Sequence, residues 1–212
     1  MGGDAKFIAL SHHLVGCCLY HQLRNEEADQ EFQTALACAA YCKDKLCESR
    51  TTRRVATVRM RQGRLDEAEE LLKHCLEIEI SHQSKRDQAR SLRHLGRLEM
   101  IKQPSDMDAA KSCLDRSMAI MEEIMSLRGT GAVQLNQATC ARLRGDYEEG
   151  LELAGLSLET AEKLGAPYAK GLCLIERAAL HDCLSHSDEA ASDRRLAAAI
   201  LGDLHLAGEV PI

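Results

Sequence analysis

Arginine recurs at helical spacing in two stretches of this 212-residue chain. Arg50, Arg53 and Arg61 are separated by three and eight residues, and Arg86, Arg90, Arg93 and Arg97 by four, three and four, so each set predicts a stripe along one helix face. No acid falls at those stripe positions. A guanidinium is a planar fork that fits carboxylate and phosphate oxygens, and several together raise the local potential toward anions. The expected chemistry is recognition of an acidic or phosphorylated segment. The formal net charge of −6 sets these patches against an acidic background that includes Glu67, Glu69, Glu70, Glu148, Glu149 and Glu152. Exposed ion pairs contribute only about 0.2–1 kcal/mol each, whereas micromolar affinity needs roughly 8 kcal/mol, so apolar contacts must add to the arginines.

Other chemistries find less support. His13, Cys17 and His21 are spaced by four and share a helical face, but three ligands on one straight helix cannot close a tetrahedron, so no metal is expected. Ten cysteines occur with no Cys-x-x-Cys pair and no secretory leader, which predicts reduced thiols used as small apolar fillers, Cys75 in particular. There is no glycine-rich phosphate loop, no His-Glu-x-x-His and no nucleophile elbow, so neither catalysis nor a cofactor is expected. An isoelectric point near 5.9 and the lack of aromatics for base stacking argue against nucleic acid.

The elements that must carry these residues repeat. Small residues pair as Gly16 with Ala28, Ala56 with Ala68, Gly96 with Ala110, Ala138 with Gly150, and Ala178 with Ala190. Each pair is twelve residues apart except the third, which is longer by two where Gln103 and Pro104 intervene, so the unit recurs at about forty residues. Such a period predicts stacked helical hairpins, none of which buries its apolar face alone. Within each unit a helix of roughly 15 to 18 residues runs to a short polar link and a second helix. The links Gln62-Gly63-Arg64-Leu65-Asp66-Glu67-Ala68 and Arg144-Gly145-Asp146-Tyr147-Glu148-Glu149-Gly150 place a glycine to end one helix and acids to begin the next. The first and fifth links keep the acids without the glycine, and Pro167 fits a helix first turn after Leu164-Gly165. No alternating β-branched run competes, and aromatic content is 3%. No apolar run reaches the roughly 18 residues of a membrane span, so a cytosolic or nuclear chain with no membrane contact is expected.

These small residues and links resemble the tetratricopeptide repeat family in a long version with a forty-residue period. The departures are the absence of Trp and of a closing Pro, and polar Gln137 and Arg177 where the motif has large apolar residues. The resemblance implies an all-α fold, a right-handed α-solenoid of five hairpins in a single array over 1–212, with repeats at approximately 5–43, 46–82, 86–125, 129–164 and 167–206. It also implies a peptide-binding concave groove lined by the leading helices. Counted from each small residue, the groove takes Leu10, His13, Cys17, Tyr20 and His21 in the first unit. It takes Arg50, Arg53, Thr57, Met60 and Arg61 in the second, and Arg90, Arg93, Arg97, Met100 and Ile101 in the third. The fourth and fifth units give a mostly apolar lining that includes Leu135, Leu143, Leu172 and Ile175. The carboxylate clamp by which some members of that family hold chaperone tails is largely lacking, since His13, Cys17, Thr57 and His94 stand at its positions and only Arg90 could serve for one of its lysines.

The expected function is therefore a non-enzymatic adaptor that holds an acidic or phosphorylated, partly apolar peptide against Arg50, Arg53, Arg61, Arg90, Arg93 and Arg97, with Leu135, Leu143, Leu172 and Ile175 as the apolar part. The alternative is a structural subunit, or the regulatory arm of a multidomain regulator, that docks through apolar surface. Leu201, Leu204, Leu206 and Val210 also suggest self-association through the C-terminal end.

Overall fold

The computed structural model describes residues 2–203, and among them it holds ten α-helices and no strand. They are α1 (Gly2–His21), α2 (Asn25–Tyr41), α3 (Lys45–Arg61), α4 (Leu65–Ser81), α5 (Lys85–Ile101), α6 (Met107–Glu123), α7 (Leu127–Arg144), α8 (Tyr147–Lys163), α9 (Pro167–Cys183) and α10 (Ser187–Asp203). Eight of the ten helices are 17 residues long. A helix of that length plus a three-residue link makes twenty, and two such steps make the forty-residue period. This is an all-α fold of consecutive helical hairpins, of the α-solenoid class.

One turn geometry closes nearly every link. At Leu23, Lys43, Gly63, Gln83, Met125, Gly145, Gly165 and Ser185 the backbone is left-handed, with φ between 49° and 89°. The following amide then reaches back five residues, as in Arg64 N to the Arg59 carbonyl at 2.9 Å and His186 N to the His181 carbonyl at 2.8 Å. The same turn thus forms with and without glycine, which explains why the first and fifth links work without one. Helix starts are capped by the side chains of Asp44, Asp106 and Ser126, which accept from Cys47 N, Ala109 N and Gly129 N. Asp146 stands at a cap position but bonds Arg144 instead. The exception among the links is 102–106, which contains Pro104.

The chain divides into two compact units, 1–98 and 99–212. In the first, Ala28, Phe32, Val55 and Val58 form a core to which Leu19, Tyr20, Leu36 and Leu71 add. A Cβ on Gly16 would come within 2.6 Å of the Phe32 ring, so the small residue there lets α2 reach α1. In the second, Leu158, Cys173, Leu174 and Ala197 form one cluster and Ala138, Ala154 and Leu180 another. A Cβ on Gly150 would lie 2.5 Å from Leu180. All ten small residues of the repeat are buried.

The two polar departures from the motif are satisfied locally. Gln137 donates to Asp115 at 2.9 Å, and the Arg177 guanidinium makes a two-pronged bond with Asp193, both contacts at 2.6 Å, which ties α9 to α10. Leu201, expected to be available for self-association, is 3% exposed and packs over Gly171, so it belongs to the last hairpin's interior. Leu204, Leu206 and Val210 lie outside the described residues. No described helix is long and apolar enough to cross a membrane.

Candidate functional site: a cationic face on the leading helices

In the first unit the leading helices α1, α3 and α5 are joined by polar contacts from five of the sequence-predicted groove residues, His13, Tyr20, Arg50, Arg53 and Arg61. Between α1 and α3, His13 Nδ1 lies 3.1 Å from Thr51 Oγ1, and Arg61 donates to the Tyr20 carbonyl at 2.7 Å while its guanidinium lies 3.6 Å from the centre of the Tyr20 ring. Arg61 thus works as a tie between helices. Between α3 and α5, Arg50 meets Asp87 at 2.9 Å. Arg53 goes deeper.

Arg53 is 5% exposed and points inward. Its guanidinium donates to Glu79 Oε1 at 2.5 Å, to Asp87 Oδ1 at 3.2 Å and to Ser91 Oγ at 3.2 Å. Glu79 Oε1 also accepts from Ser49 at 2.7 Å, and Gln88 donates to the Glu79 carbonyl. This buried network clamps α3, α4 and α5 together, so Arg53, predicted as a groove residue, is a structural one. The stripe lacked an acid of its own; the acids arrive from α4 and from the first turn of α5. Burial pushes the Asp87 carboxyl up, but Arg50, Ser84 and Arg53 outweigh it and hold the pKa below its usual value.

What remains on the face is cationic. Arg90 lies 3.5 Å from Asp87, which already serves Arg50 and Arg53. Burial lowers the pKa of Arg93 to about 9, and Arg97, Arg54, Arg53 and Arg90 add to the effect. Its only hydrogen-bond contact among the described residues is His94 Nε2 at 3.5 Å. His94 is itself buried, with its pKa well below the usual value through burial and then the charges of Arg93, Arg97, Arg53 and Arg54. His13 feels the same field: burial, Arg54, Arg53 and Arg50 lower it to about 4, and Cys17 Sγ lies 3.7 Å from its Nε2. With a neutral imidazole beside it and its own pKa raised by burial, Cys17 stays a thiol. Of the ten free cysteines, Cys75, Cys140 and Cys173 are buried; Cys75 donates to the Ser49 carbonyl and is pushed up to about 12 by burial.

Arg54 is the residue that sequence reasoning missed. It falls between groove offsets, yet it acts electrostatically on His13, Arg93 and His94 together. The Arg53-Arg54 doublet was the available signal, since two neighbours on a helix point about 100° apart and one can turn inward while the other stays out.

In the second unit, Leu135 and Ile175 pack against the cluster around Leu158 and Leu174, and Leu172 is partly buried. Leu143 is exposed. Arg142 bonds Glu176 at 2.7 Å, so α7 and α9 are joined by an ion pair beside these apolar residues.

Paired helices, eight of them 17 residues long, joined by left-handed turns define a fold of the helical-repeat class. Residues 47–123 match the tetratricopeptide repeat family. Solved structures share the fold at low identity. BtubC (BKLC) from P. vanneervenii is 15% identical with a TM-score of 0.69 over 98% of this chain and 84% of that one. A Rap protein complexed with Competence and Sporulation Factor is 14% identical with a TM-score of 0.79 over 92% of this chain and 55% of that one. A signal transduction ATPase with numerous domains from Pyrococcus horikoshii, which carries a tetratricopeptide repeat sensor, is 17% identical with a TM-score of 0.68 over 95% of this chain and 31% of that one. A search of curated proteins finds no sequence match. Tetratricopeptide repeats are in general non-enzymatic protein-interaction modules.

Proposed function

We propose that the protein is an adaptor that binds an acidic segment of a partner protein on the α1–α3–α5 face. The observation that carries this reading is that Arg54 and Arg93 bond no carboxylate among the described residues, although Arg53 beside them holds two. Arg50 and Arg90 share the single Asp87, and a ligand carboxylate can replace part of that contact at small cost, since both side chains are exposed. Leu10, exposed on α1 at a groove position, supplies apolar contact. Leu143 offers a similar contact in the second unit. The protein that is 55% covered in the Rap complex is a relative in fold whose structure contains a bound factor, which fits a ligand-holding role.

A second reading, docking through apolar surface as a subunit or regulatory arm, is favoured by α1, where Phe7 is 73% exposed and Ile8, Leu10, Leu14 and Val15 are exposed beside it. Salt separates the two. Anisotropy of a fluorescent glutamate-rich peptide library on the full chain should weaken at least tenfold between 50 mM and 500 mM salt for the arginine face. Capture that is unchanged by salt would reject that face and favour the apolar one.

A further inference from the structure

The arginine face carries more charge than its own acids can match. Arg50, Arg53, Arg54, Arg90 and Arg93 converge where Glu79 and Asp87 are the only carboxylates that bond any of them among the described residues. Asp87 alone already serves three guanidinium groups and the Ser84 hydroxyl. Arg93 is left facing like charges, and its single hydrogen-bond contact among the described residues is a buried neutral histidine. That ring, accepting from Arg93 at Nε2, carries its proton on Nδ1, and Nδ1 is buried without a partner among the described residues. Buried donors and clustered like charges without counter-charge cost stability, and such arrangements gather where an anion is received.

The size of the excess distinguishes between anions. A carboxylate brings one charge and two oxygens, and Asp87 shows how one such group is divided at this face. A phosphate monoester brings about −1.5 to −2 charges and three strong acceptor oxygens in one compact group, enough to meet guanidinium forks from two helices at once. A long polyanion fits poorly: the acids Glu67 and Glu70 are exposed on α4, and Tyr20, the aromatic beside the face, is covered by Arg61. We propose that Arg54 and Arg93, with Arg90 beside them, form a subsite for a phosphorylated serine or threonine of the partner segment. This rests on the acidic-segment reading and narrows it to one ligand chemistry.

The test is retention of two oriented peptide libraries by the full chain, one with a fixed central phosphoserine and its twin with a central Glu-Glu of equal charge, both degenerate on either side. The phosphoserine library should be retained at least tenfold better, and Arg93→Gln and Arg54→Gln should each remove that preference while melting as the wild type does. Equal retention of the two libraries would overturn the phosphate subsite and leave the acidic-segment reading standing. Retention of neither would overturn both. Displacement of the phosphopeptides by single-stranded oligouridylate at equal phosphate concentration would assign the face to nucleic acid and overturn the subsite.

Discussion

Arg53 and Arg54 are neighbours with opposite tasks, and that contrast decides how each responds to substitution. Arg53 is one member of a buried charge network, so Arg53→Met leaves the buried Glu79 carboxylate with uncompensated charge, while Asp87 keeps Arg50 and Arg90, and should cost about 3–5 kcal/mol by chemical denaturation. Adding Glu79→Met should recover part of that loss; a single substitution costing under about 1 kcal/mol would contradict the network. Arg93→Gln should do the reverse, leaving stability unchanged or raised, because it removes a desolvated charge that faces other arginines. The histidines give a pH signature. His13 has a folded pKa near 4 against 6.5 for the free side chain, so over that window the unfolded chain binds a proton that the folded one does not. Stability should therefore fall as pH drops from 6.5 toward 4, and His13→Gln should shallow that slope in denaturation curves taken across the range. An unaltered slope would remove His13 from the account. The arginine spacing made this face visible in the sequence, but not the division of labour within it. Which of Arg53 and Arg54 turns inward depends on Glu79, twenty-six residues away on another helix.

Each helix and link was largely readable from sequence because the same geometry is imposed every twenty residues. The small residues mark where one helix backbone must come close to its neighbour, and Gly16→Ala, whose new Cβ would sit 2.6 Å from Phe32, should cost about 1–3 kcal/mol in melting experiments. The turns are where the sequence was less explicit. Glycine announced Gly63 and Gly145, but Leu23, Lys43, Gln83, Met125 and Ser185 hold the same left-handed backbone with a side chain attached, because the five-residue return bond and the packing of the following helix fix it. These residues carry strain that glycine relieves. Met125, at φ 49° and 89% exposed, contributes little packing, so Met125→Gly should raise stability by about 0.5–1 kcal/mol despite the extra freedom of the unfolded chain; a lower melting temperature would contradict that. The ion pair of Arg177 with Asp193 was unreadable for a different reason: a polar residue at an apolar motif position signals a departure but does not name its partner.

For the whole molecule, the repeat period defined the class of fold, and the family match over 47–123 agrees with it. Function followed less directly, because a helical repeat states how a ligand is held and leaves its identity to the side chains on the leading face. Here those side chains are cationic in a chain whose net charge is −6, so the charge is concentrated where α1, α3 and α5 meet and is opposed elsewhere. The apolar residues of α1 offer a competing surface, and the two surfaces respond differently to charge. The most direct measurement is calorimetric titration of the tightest-retained library peptide into the wild type and into the double charge reversal Arg54→Glu, Arg93→Glu, with circular dichroism melting of both proteins. The arginine-face account predicts at least a hundredfold loss of affinity with the helical fold retained. Undiminished affinity in a folded double variant would contradict it.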